Sequence, residues 1–118
     1  MAKAIFTATI ADGATTSGAI DLREYDVVGM QFDASFEGAT ISFTGCAHPD
    51  PGAPDSPGYD AVVDQSANAL SVTVTDDRYI VFDEEWQRNL AGLAWCKIVS
   101  ASTETGAQTI RIVAKRCL

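Results

Sequence analysis

Basic side chains are scarce in this sequence. Lys and Arg number eight against 16 Asp and Glu, which leaves the 118-residue chain at −8. That shortage argues against nucleic acid as a partner, because phosphates are neutralised by clustered cations. It argues equally against anionic membranes. Histidine is nearly absent. His48 stands alone beside Pro49, and without a GxSxG motif it offers no nucleophilic triad. The three cysteines, Cys46, Cys96 and Cys117, are an odd number without CxxC spacing, so zinc and thioredoxin-like chemistry are poorly supported. They read as reduced structural thiols of a protein made in a cytoplasm. No apolar run exceeds four residues, so nothing predicts a bilayer-spanning helix. Met1–Phe6 gives way at once to Thr7 and Thr9, which leaves no signal-peptide h-region. P-loop and GxGxxG motifs are missing as well, so no cofactor is expected.

Proline is also missing, except in one place. All four prolines fall within Cys46–Gly58, at positions 49, 51, 54 and 57. Proline fixes φ and has no amide hydrogen, so this segment reads as an exposed, locally stiff loop rather than a central strand. Its solvent-facing candidates are His48, Pro49, Asp50, Pro51, Pro54, Asp55 and Pro57.

What remains is β-strand pattern. Phe6, Ala8 and Ile10 alternate, and Asp12-Gly13 supplies a turn. Ile20 and Leu22 mark a short second strand. Val28, Met30 and Phe32 mark a third, and Ile41 and Phe43 a fourth. Tyr59–Val63 reads as a strand, and Leu70, Val72 and Val74 alternate again. Tyr79–Phe82 and Leu93–Val99 are the most apolar stretches. The residues between them read as a short turn carrying at most one helical turn near Trp86, which makes a central strand–turn–strand pair. Ile110, Ile112 and Ala114 close the pattern, with Arg111 and Lys115 on the opposite face. Eight or nine short, turn-bounded strands over residues 1–118 predict one all-β domain, an antiparallel sandwich or barrel. The predicted core is Phe6, Ile20, Leu22, Met30, Phe32, Ile41, Phe43, Val72, Phe82, Cys96, Ile98, Ile110 and Ile112.

Acidic pairs are abundant, but Asp76-Asp77 and Asp83-Glu84-Glu85 sit at strand ends, where turns favour them. Asp50, Asp55 and Asp60 supply oxygens of the kind calcium takes, yet without an EF-hand pattern. No metal is expected. Trp86 and Trp95 are candidates for a sugar-stacking platform, though a core role suits Trp95 better. Charge is unevenly placed: residues 1–90 carry four basic and 15 acidic side chains, and residues 91–118 four basic and one acidic. The late cations can mark strand faces in solvent or a basic edge that docks on an acidic partner.

Three stretches carry a resemblance. They are Thr9–Leu22 with Val28–Phe32, Tyr79–Asp83 leading into Leu93–Ser100, and Gln108–Val113. In this order they resemble small virion proteins of tailed bacteriophages, compact β-sandwich or jelly-roll modules that coat capsids as decoration (cement) proteins or belong to head fibres and tails. The Pro-rich loop and the three cysteines depart from that pattern. The resemblance implies a non-enzymatic structural protein on the virion's capsid surface. Its partner would be the major capsid protein, with homo-oligomers on the capsid as a further expectation. The alternatives are a head-fibre or tail accessory module, or a carbohydrate-binding module. The expected contacts are Ala2, Lys3, Ala4 and Ile5 at one end of the chain and Arg111, Lys115 and Arg116 at the other.

Overall fold

The computed structural model describes residues 3–74 and 79–116. Within them run β1 (Lys3–Ile10), β2 (Ile20–Asp21), β3 (Tyr25–Phe32), β4 (Thr40–Cys46), β5 (Asp60–Ala61), β6 (Ser71–Thr73) and β7 (Tyr79–Val81). The helix α1 (Glu84–Leu90) follows, then β8 (Trp95–Ser100) and β9 (Gln108–Arg116). The expected all-β sandwich is what the chain forms.

The strands make two antiparallel sheets. One has the order β1-β9-β3-β7, and the other the order β2-β8-β4 with β5 and β6 both pairing with β4. The pairings are nested: β1 lies on β9, β2 on β8, β3 on β7, and β4 on β6. The chain is therefore one long hairpin wrapped around a core, which is the topology of a jelly roll. Consecutive strands fall in opposite sheets for most of its length.

This wrapping corrects the expected central pair. Tyr79–Val81 is an edge strand of the first sheet and touches β3, whereas Trp95–Ser100 pairs with β2 and β4 in the second. The residues between them form a two-turn helix that crosses from one sheet to the other. Asp83 caps it by accepting from the Trp86 amide at 3.0 Å. Glu84 and Glu85 occupy its first turn, where carboxylates oppose the positive helix end. Leu90 is buried, and Trp86 packs partly buried one turn earlier.

Between the sheets lie Ile10, Val27, Met30, Phe43, Leu90, Ile98, Ile110 and Ile112, each under 3% exposed. The predicted core residues are buried except Phe6, which is half-buried and meets Tyr25 edge-on at 4.9 Å between ring centroids. A bulge in β3 shifts the register between Val27 and Gly29. Val27 therefore turns inward, and Val28 leaves the face it was expected to share with Met30 and Phe32. The strand expected over Tyr59–Val63 shortens to Asp60–Ala61.

Candidate partner-binding face

The termini meet because β1 pairs with β9 in register, Lys3 opposite Lys115 and Ile5 opposite Val113. Strand alternation then sorts the expected contact residues. Lys3, Ile5 and Thr7 share the outer face with Arg111, Val113 and Lys115, while Ala4 and Arg116 have the opposite parity. Arg116 instead lies 3.9 Å from Glu24. Ala2 is outside the described residues. Lys3–Ile5 are paired with β9 along one edge, and β1 is itself an edge strand of its sheet.

Register extends this face across all four strands. Ile5, Val113, Gly29 and Val81 form one rung, and Thr7, Arg111, Gln31 and Tyr79 the next. Ile5 is 69% exposed, Tyr79 52% and Val81 77%, so three of the large exposed hydrophobics gather here. Gly29 leaves a notch in the middle of the apolar rung. A Cβ there would come within 3.0 Å of the Ile80 carbonyl oxygen, so glycine is what allows β7 to lie this close. Val28, displaced by the bulge, and Gln87 of α1 complete one wall, and Lys3 and Lys115 stand at its end. Among the described residues neither lysine makes a salt bridge. Arg111 is 3.3 Å from Asp33. This face was only partly legible. The cations are visible in the sequence, whereas Tyr79, Val81 and the notch depend on β7 being an edge.

The Pro-rich loop is not a free arm. It folds back over the outer face of the second sheet. Arg23 donates to the Pro49 carbonyl at 3.3 Å, and the Cys46 thiol meets the Ser56 hydroxyl at 3.3 Å. Nε2 of His48 lies 3.2 Å from Asp55, while its Nδ1 accepts from the Asp50 amide at 2.9 Å. The Lys97 ammonium sits 4.3 Å over the Tyr59 ring just beyond the loop. Pro49, Asp50, Pro54, Asp55 and Pro57 are exposed as expected, whereas His48 and Pro51 are half-buried.

The carboxylates are occupied with structural work. Asp12, Asp33, Asp50 and Asp64 each accept from backbone amides. The Asn68 and Ser66 amides hold the Asp64 carboxyl below its usual range. The hydrogen bond from Arg23 does the same for Asp21. Glu104 is 1% exposed, and three donors converge on its carboxylate. Asp50 and Asp55 turn to Gly52 and His48, and among the described residues no three His, Cys, Asp or Glu side chains gather to hold a metal ion. Asp76, Asp77 and Cys117 lie outside the described residues.

Neither tryptophan offers a clean stacking surface. Trp86 stacks on Phe82 at 6.0 Å, and Arg23 covers Trp95 at 5.1 Å. Cys46 and Cys96 are buried free thiols, and burial pushes the Cys96 thiol up to about 12. No protein-family model matches the chain, and no curated protein matches it.

Proposed function

We propose that this protein is a non-enzymatic virion structural protein of a tailed bacteriophage, a capsid decoration protein. In this reading it binds the outer face of the major capsid protein lattice and stabilises the head. The observation that carries the reading is the outer face of the β1-β9-β3-β7 sheet, where exposed Ile5, Tyr79 and Val81 lie beside Lys3 and Lys115 in a chain of net charge −8. Apolar side chains gathered on one face of a soluble domain mark a contact surface. The jelly-roll topology adds support by analogy, since capsid proteins use it widely. Stabilisation follows from mass action: a ligand that binds only the assembled shell shifts the equilibrium toward it. The test is quantitative mass spectrometry of purified virions of the encoding phage. A copy number near that of the shell protein is expected. A few copies per virion would favour the head-fibre or tail reading, and absence from the particle would refute a virion role.

A further inference from the structure

We infer that the notch at Gly29 is the centre of the docking contact, and that its occupant is an aliphatic side chain of the capsid protein flanked by carboxylates. This rests on the decoration reading above and names the chemistry of that same face.

The notch exists because one position in a four-strand apolar rung has no side chain. Val113 and Val81 stand on either side of Gly29, and Tyr79 and Val28 close its ends. A single branched side chain inserted there touches apolar atoms on several sides, which is the geometry of an interface anchor. The charges around it select the partner. Among the described residues three cations, Lys3, Arg111 and Lys115, share the face with two carboxylates, Asp26 and Asp33, and the Arg88–Glu84 pair at its rim adds no net charge, so it is net positive on a chain at −8. Carboxylates placed beside the inserted side chain can reach Lys3 and Lys115 without displacing an existing ion pair.

The same features argue against a second copy as occupant. Two such faces in contact would bring these cations together.

The experiment uses shells of the encoding phage stripped of accessory proteins, with binding of the full chain measured by cosedimentation. Val81 is 77% exposed, so its replacement leaves the core untouched. Val81→Asp is expected to weaken binding at least tenfold, Val81→Lys by less than threefold, and Lys3→Glu with Lys115→Glu at least tenfold. Raising salt should weaken wild-type binding. Circular dichroism and thermal melts check that each variant is folded.

If the wild type binds but all of these variants bind equally well, the notch is overturned while the decoration reading stands. Equal losses for Val81→Asp and Val81→Lys would overturn the acidic character of the partner. Concentration-dependent dimerisation that Val81→Asp abolishes would make a second copy the occupant and overturn the inference. Failure of the wild type to bind shells would remove both readings.

Discussion

Replacing Glu104 should destabilise this protein more than replacing any exposed acid in it. Glu104 lies in the loop between β8 and β9 and is 1% exposed. Its carboxylate accepts from the Glu37 amide at 2.8 Å, the Gly38 amide at 3.1 Å and the Ser100 hydroxyl at 2.8 Å. Its backbone amide donates to the Ala14 carbonyl, and its own carbonyl accepts from Gly13. One residue therefore ties together three loops at the same end of the sandwich. In Glu104→Ala the Ser100 hydroxyl turns its one proton to the Ser102 carbonyl 2.8 Å away, but two amides lose their partner. An unsatisfied buried donor costs about 1–3 kcal/mol, so the two amides together predict a loss of about 2–6 kcal/mol. Glu104→Gln keeps one acceptor oxygen and turns an NH₂ group toward a donor, for an expected loss of about 1–3 kcal/mol. Urea denaturation followed by tryptophan fluorescence measures both. A Glu104→Ala loss below about 1 kcal/mol would refute the reasoning, as would Gln proving worse than Ala.

The core and the titrating groups give further expectations. Ile98 is fully buried, so Ile98→Ala should cost about 2–5 kcal/mol in the same assay, and a change below half of that lower bound would contradict its placement. The Cys96 thiol is raised to about 12 by burial, so the folded state holds its proton after the unfolded chain has lost it. The Cys96 contribution to stability should be level below about pH 8.5 and then fall by about 1.4 kcal/mol per pH unit. Cys96→Val should flatten that slope between pH 8.5 and 10, and an unchanged slope would contradict the assignment. Asp21, held low by the hydrogen bond from Arg23, contributes stability above its unfolded pKa that is lost as pH falls through the folded one. Carbon-detected NMR should place its titration below that of a free aspartate near 3.9, and one at or above that value would contradict the ion pair.

Alternation made most strands legible, because burying one face of a strand writes a period of two into the sequence. Ile41 with Phe43, Val72 with Val74, and Ile110 with Ile112 and Ala114 all point inward as their spacing implies. Tyr79–Val81 and Trp95–Ser100 join different sheets, which the sequence does not reveal because local pattern says nothing about which sheet a strand joins. In a nested hairpin, neighbours in sequence separate. The helix did leave signals: Trp86 and Leu90 are four apart, and Asp83 stands at the N-cap. They are easily taken for a turn in a seven-residue segment. The β3 bulge leaves no comparable mark, since Val27 and Val28 are chemically alike and only the register with β9 distinguishes them. Glu104 was invisible for the same reason. Its loop reads as polar and exposed until the Glu37 and Gly38 amides, distant in sequence, are in place. On the candidate face, the cations Lys3, Arg111 and Lys115 were legible from composition, whereas the notch depends on Gly29, Val113 and Val81 meeting across three strands.

The proposed capsid role is tested most directly by a cryo-electron microscopy reconstruction of the mature head of the phage that this reading implies. The expected result is a jelly-roll density on the outer shell with Lys3, Lys115 and Val81 against the major capsid protein and the Pro-rich loop turned away from it. A shell lacking this density, or one in which the protein is attached through residues 47–58 with the Val81 face in solvent, would contradict it.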